Sequence, residues 1–183
     1  RLLFGGFGFT GSRCIWYSDD GGNSYKCTGL QQPRTNEWSV AVAGKSGQLI
    51  LNSRASGAKF SPYRPTYFSK DNGVSWGSAK NSKWKDSINK NKHGCEGSLL
   101  GIGKAVFYFN PTGQGKKART KMEVRCSLDG GRTLSGEAYA VTSTSKGGYS
   151  QMAPTGSKKT PLLIGWGDTT NVFVEQINTK WCH

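Results

Sequence analysis

With 183 residues, the chain has the length of one domain and enough material to bury a core. Hydrophobic residues make up 34%, no run is long enough to cross a bilayer, and 26 glycines with six Trp, seven Tyr and eight Phe favour short strands and tight turns over long helices. Twenty-five Lys and Arg against eleven Asp and Glu give a net charge of +14, a field that attracts anionic ligands or simply keeps a basic surface solvated. The basic stretches 80–92 and 116–125 contain one aromatic, Trp84, and no RNP, zinc-finger or helix-turn-helix pattern, so nucleic acid is not the expected partner. The start, Arg1-Leu2-Leu3-Phe4-Gly5, has neither an initiator Met nor a signal-peptide pattern and reads as a processed or partial chain.

In chain order, strands are predicted at 14–17, 38–43, 48–51, 66–68, 98–102, 105–109, 122–126, 162–166 and 171–177. Segments 53–65, 80–94 and 111–117 are polar, rich in Gly, Pro, Ser or Lys, and read as loops; nothing resembles an amphipathic helix or a linker, so 1–183 is taken as one domain. Cys14 and Cys27 lie symmetrically about the turn at Asp20-Gly21, so a hairpin there would set them across from each other as a disulfide, which suggests a secreted or cell-surface protein. Cys95, Cys126 and Cys182 have no assigned pairing, and the odd total leaves at least one thiol unpaired or bound to another chain. No Cys or His spacing suits a metal, and no cofactor is implied.

One pattern, S-x-D-x-G-x-[S/T]-[aromatic or Leu], occurs three times, starting at Ser18, Ser69 and Ser127, 51 and 58 residues apart. In each, the Asp (Asp20, Asp71, Asp129) can accept hydrogen bonds from turn amides while Gly supplies a positive φ, so a strand enters and leaves at a fixed angle. Three copies near the 40–50-residue spacing of propeller blades predict an all-β chain forming part of a β-propeller, with the three aspartates structural.

Between these turns the sequence resembles the sialidase (neuraminidase) family, whose Asp-box repeats share the turn pattern. Asn36-Glu37-Trp38-Ser39-Val40, then Leu49-Ile50-Leu51-Asn52-Ser53-Arg54, looks like that family's Glu, strand, turn and L-x-x-N-x-R. Val106-Phe107-Tyr108-Phe109-Asn110-Pro111 resembles its F-x-N-P strand end, Arg119 stands eight residues before Ser127, and Gly148-Tyr149-Ser150 resembles its nucleophile segment. The resemblance implies the C-terminal half of a six-bladed propeller in which Tyr149 is the nucleophile, Glu37 polarises it, Arg54 and Arg119 grip the substrate carboxylate, and Glu96 contacts the sugar ring. These residue types suit the chemistry: sialic acid carries a carboxylate on its anomeric carbon, which would repel a carboxylate nucleophile, and a neutral tyrosine avoids the clash. A phenol of pKa about 10 needs an adjacent base, and a guanidinium fork matches a carboxylate with two parallel hydrogen bonds. Trp38 and Trp166 could stack on a sugar or fill the core.

Two parts of the family site have no counterpart: a third arginine and an acid/base aspartate, both placed by the family near its N-terminus. Segment 1–10 reads instead as an inner strand, and Ile164-Gly165-Trp166-Gly167 stands where a Tyr-Glu pair is common. The expectation is a sialic-acid-cleaving enzyme acting on sialylated glycans, completed by an N-terminal half or companion chain and inactive without it. The alternative is a sialidase-like protein that binds sialylated or polyanionic glycans, or builds an assembly, without hydrolysis.

Overall fold

The computed structural model describes residues 1–7, 13–29, 37–44, 47–55, 62–78, 80–141 and 147–183. Among the described residues the chain is all-β apart from one 3₁₀ turn, Gly115–Lys117. These residues form fourteen strands in four antiparallel sheets, in sequence order. The first holds β1 (Leu2–Phe7), β2 (Arg13–Ser18) and β3 (Lys26–Gly29); the second holds β4 (Trp38–Val42), β5 (Leu49–Ser53), β6 (Tyr63–Ser69) and β7 (Lys80–Lys85). The third comprises β8 (Ser98–Ile102), β9 (Ala105–Pro111), β10 (Met122–Ser127) and β11 (Ser135–Ala140), and the fourth β12 (Gly148–Pro154), β13 (Leu162–Gly167) and β14 (Val172–Ile177). Each sheet pairs only with itself, and successive sheets meet through β1 and β4, β4 and β8, then β8 and β9 against β12. Such a succession of self-contained sheets is the part-propeller predicted from the turns.

The sheets stack because their central strands are apolar on both faces. Side chains alternate along a strand, so Val106 and Tyr108 of β9 join the core facing the second sheet while Phe107 and Phe109 join the core facing the fourth. In β5, Leu51 packs with Ile15 and Tyr67 toward the first sheet, and Ile50 packs with Trp84 toward the third. Every residue of β5 is buried. Trp166 belongs to the core, stacked on Phe173 and edge-on to Phe109, and Trp38, partly buried, packs against the Ile15 cluster.

Three strands, β7, β11 and β12, lie where composition hid them, and a fourth begins earlier than expected. β7 falls in segment 80–94, which reads as a loop; it lies at the outer edge of its sheet, where backbone pairing to β6 and one buried anchor, Trp84, suffice. β6 starts at Tyr63, inside the segment read as loop 53–65, and β11 and β12 were not foreseen.

The three S-x-D-x-G turns are superposable in their bonding. Ser18, Ser69 and Ser127 each donate Oγ–H to the turn Asp at 2.7–2.8 Å and accept the amide of Gly22, Gly73 or Gly131 at 2.8 Å. The Asp in turn accepts the amide and hydroxyl of Ser24, Ser75 or Thr133. The glycines sit at φ +99°, +81° and +89°, which a side chain would strain. The Ser75 hydroxyl and amide pull the Asp71 carboxyl down to about 2; at Asp129 burial works the other way, but the hydrogen bonds from Thr133, Ser127 and Arg132 together outweigh it and again give about 2.

Register places Trp16 opposite Cys27 and Cys14 opposite Gly29, so Cys14 and Cys27 are diagonal neighbours and not a facing pair. Cys27 is disulfide-bonded; the side chain of Cys14 lies outside the described residues. Cys126 and Cys182 form a disulfide that spans 56 residues and ties β10 to the C-terminal turn, and Cys95 is free and buried. No helix among the described residues is long and apolar enough to cross a membrane.

A disulfide closing so long a loop contributes about 2–4 kcal/mol, mainly by restricting the unfolded chain. A Cys126→Ser/Cys182→Ser double variant should therefore unfold at lower denaturant than the parent by that margin, measured by equilibrium urea titration.

Candidate functional site

Because strands alternate in direction, the three aspartate turns all fall at one end of the sheets. Glu37, Arg54, Glu96, Arg119 and Tyr149 fall at the other, before β4, after β5, before β8, before β10 and at the start of β12. The structure brings these five together.

Glu37 and Arg54 face each other across the open end of the β4–β5 pair: the Arg54 amide donates to the Glu37 carbonyl at 2.8 Å, and Arg54 Nη1 donates to Glu37 Oε2 at 2.6 Å. Burial alone would lower the Arg54 pKa, but the hydrogen bond and charge of Glu37 raise it, with smaller contributions from Cys95 and Tyr149. The guanidinium is thus permanently charged and aimed.

Tyr149 is placed by a β-bulge. β12 pairs Gly148 with Gly167 and Ser150 with Trp166, leaving Tyr149 as the extra residue, with φ +51°. Ser150 on one side is fully buried: its hydroxyl donates to the Phe109 carbonyl at 2.7 Å, and its amide donates to Glu96 Oε2 at 3.1 Å. With its neighbour held inward, Tyr149 turns outward and is 55% exposed. A bulky residue in the left-handed region costs about 1–3 kcal/mol, and bulges that re-aim a side chain cluster at functional sites.

Arg119 stands over that ring, its guanidinium carbon 5.4 Å from the centroid. Its backbone, also left-handed at φ +60°, is stapled on both sides: its amide donates to Ser87 Oγ at 2.5 Å and its carbonyl accepts the Gly147 amide at 2.7 Å. Burial pushes the Glu96 carboxyl up and so does Glu37, while the Ser150 amide, Arg64 and Arg54 oppose the rise.

Beneath these residues lies a buried ion pair that sequence reading missed. Asp86 and Arg64 have fully buried side chains 3.1 Å apart. Asp86 Oδ2 also accepts the Ala55 amide at 2.9 Å, and Oδ1 accepts the Ser87 amide at 2.8 Å, the Cys95 amide at 2.9 Å and Asn110 Nδ2 at 3.0 Å. Arg64 reaches the Cys95 carbonyl at 2.5 Å and bonds Asn52. One carboxylate therefore fixes the residue after Arg54, the residue before Glu96 and, through Ser87, the backbone of Arg119. A Cβ on Gly94 would stand 2.0 Å from Asp86 Oδ2, so only glycine lets this chain pass. The signal in the sequence is slight: Asp86 is the sole acid between Asp71 and Glu96, within a run of lysines. Among the described residues no cluster of His, Cys, Asp or Glu could hold a metal ion.

Searches against family models and curated proteins give no match. Among solved structures, Trypanosoma rangeli sialidase in complex with 2,3-difluorosialic acid, described as a covalent intermediate, matches with TM-score 0.68 at 20% identity over 88% of this chain. NanB sialidase from Streptococcus pneumoniae matches with TM-score 0.68 at 18% identity over 97% of this chain, and a Trypanosoma rangeli sialidase mutant displaying trans-sialidase activity with TM-score 0.62 at 18% identity over 88%. The chain has the fold of a sialidase-type β-propeller, in part: it spans about a quarter, 26%, of each of those chains.

Two outcomes test the site's construction. Asp86→Ala strands the Arg64 charge in the interior and should cost about 3–5 kcal/mol in denaturant unfolding, whereas Asp86→Asn, which keeps the shape, should cost less. For Glu96, a folded pKa above the unfolded one means its contribution to stability is greatest below the unfolded value and falls as pH rises through the folded value. Glu96→Gln, which keeps an acceptor for the Ser150 amide, should therefore gain more in melting temperature over the parent at pH 8 than at pH 4.

Proposed function

We propose that this chain carries the nucleophilic half of a sialidase-type glycoside hydrolase acting on terminal sialic acids of sialylated glycans. The observation that supports it most is the outward, bulged Tyr149 under the Arg119 guanidinium, in the same cluster as the Glu37–Arg54 pair. No packing requirement accounts for a half-exposed aromatic on a strained backbone beside two arginines.

In this reading Arg54 and Arg119 bind the sugar carboxylate and hold the anomeric carbon over Tyr149. The Tyr149 oxygen bonds to that carbon as the glycosidic C–O bond breaks; the phenolic proton passes to Glu37, and the leaving oxygen takes a proton from an acid. Water then attacks the tyrosyl–sugar bond, releases sialic acid and restores the phenol. Arg54, bonded to Glu37 at 2.6 Å, fixes the orientation of that carboxylate. The acid/base aspartate and a third arginine come from further blades, in the same polypeptide or a companion chain, that also cover the exposed ends of the part-ring. Secretion or display at the cell surface accords with the disulfides.

The test is turnover of a fluorogenic sialoside by the protein in its completed propeller. Tyr149→Phe should lower kcat by about a thousandfold or more, with peptide mapping after 2,3-difluorosialic acid treatment placing the adduct on Tyr149 in the parent. Arg54→Lys should act chiefly on KM. Parental turnover by Tyr149→Phe removes the nucleophile assignment.

A further inference from the structure

Beside the site, two loops form one cationic platform. Asn89 Oδ1 accepts the amides of Asn91 and His93, and the Asn89 amide donates to the His93 carbonyl at 3.0 Å, closing a tight loop that exposes Lys90 and Lys92. The second loop, 113–121, docks on the first: the Gly115 amide donates to the Ile88 carbonyl at 2.7 Å, Ser87 Oγ donates to the Gly113 carbonyl at 2.9 Å, and Gln114 Nε2 donates to the Asp86 carbonyl at 2.6 Å. It exposes Lys116, Lys117, Arg119 and Lys121. Between 86 and 121 the only acids are the buried Asp86 and Glu96, which is held to Ser150. Among the described residues the ion pairs are Arg1–Asp19, Arg54–Glu37, Arg64–Asp86 and Arg125–Glu123, so none neutralises this platform.

A solvated lysine run needs neither a rigid backbone nor strain, and this platform has both. Among the described residues five non-glycines have positive φ, and three of them are its cations: Lys92 at 64°, Arg119 at 60° and Lys121 at 59°. Asn or Gly would take those conformations at lower cost, so holding basic residues there points to a ligand for the charges. The platform runs directly into Arg119, so a chain leaving the sialic-acid site on that side passes over it. Neither loop (86–93 and 113–121) contains Trp, Tyr or Phe, the large rings on which single-stranded nucleic acids stack.

We infer that Lys90, Lys92, Lys116, Lys117 and Lys121 form an extended subsite for a glycan bearing further anionic groups, carboxylate or sulfate, beyond the sialic acid at Tyr149. The inference rests on the proposed function for the residue in the site, but the platform is a separate surface and is tested separately. Its role is to select polyanionic over neutral glycan chains, by attraction that salt weakens.

The experiment measures binding to the completed protein, at two ionic strengths, of four probes: 3′-sialyllactose, an α2,8-linked sialic acid tetramer, chondroitin sulfate and a single-stranded RNA. The tetramer should bind at least about tenfold more tightly than sialyllactose in 10 mM salt, the margin shrinking as the screening length falls from about 30 Å to about 8 Å at 150 mM. Lys90→Ser/Lys92→Gly/Lys116→Ser/Lys117→Ser should abolish that margin and leave sialyllactose binding unchanged. A control removing four exposed lysines at the far end, Lys70→Ser/Lys104→Ser/Lys158→Ser/Lys159→Ser, should keep the margin. If chondroitin sulfate matches the tetramer, sulfate is an accepted source of the charge; if it does not, the carboxylates of consecutive sialic acids are. Chondroitin sulfate binding that depends on the platform, with no binding of sialyllactose, sustains the platform and removes the sialic-acid reading. An unchanged tetramer margin in the platform variant, an equal loss in the control, or RNA bound as tightly as the tetramer overturns the inference.

Discussion

A buried carboxylate that must satisfy every lone pair governs the functional end of this molecule. Sealing Asp86 away from water costs several kcal/mol unless donors replace the solvent, and its partners come from segments that also carry functional side chains. Arg64, Asn110 and the amides of Ala55, Ser87 and Cys95 each hold one direction of the carboxylate, so none of these segments moves without leaving a charge unpaired. The exposed loops inherit order from an electrostatic requirement inside. Their own sequences, rich in Lys, Ser and Gly, would not otherwise specify a shape.

The two ends of the sheets divide stability and chemistry between them. At one end, three aspartates bound by serine and threonine hydroxyls repeat the same turn, and their carboxyls remain ionised far into acid. At the other, conformations are individual and strained: Tyr149 and Arg119 are both left-handed. The strain at Tyr149 is tolerated because Ser150, one residue on, is pinned to Phe109 and Glu96. Substituting Ser150 would free the bulge to relax.

Much of the architecture was legible because its signals are local. The S-x-D-x-G spacing announces a turn through hydrogen bonds within five residues, and the Val106–Phe109 run announces a strand buried on both faces. β7, β11 and β12 were not legible: the first two are outer strands, which pair through the backbone and need few apolar residues, and β12 reads Gly-Tyr-Ser-Gln-Met-Ala-Pro, with no apolar run. At the site, Glu37, Arg54, Glu96, Arg119 and Tyr149 could be named from motif order, and the structure gathers them; their roles in catalysis remain the proposal. Asp86 and Arg64 escaped because nothing in Tyr63-Arg64-Pro65 or Lys85-Asp86-Ser87 distinguishes a buried ion pair from surface charges 22 residues apart. Symmetry about the Asp20-Gly21 turn likewise marked Cys27 as a disulfide cysteine, and it is one, with the register setting Cys14 two residues off the position directly opposite.

The Cys126–Cys182 bond encloses β11 to β14, and with them Tyr149. A protease that cut the exposed turn at Lys158-Lys159 would leave Tyr149 on the piece that holds Cys126 and would put β13 and β14 on the piece that holds Cys182, the two still joined through sulfur. Such a nicked molecule would run as one species until reduced. In a protease-rich setting, a broken backbone would then not by itself release the strand against which the Tyr149 bulge is paired.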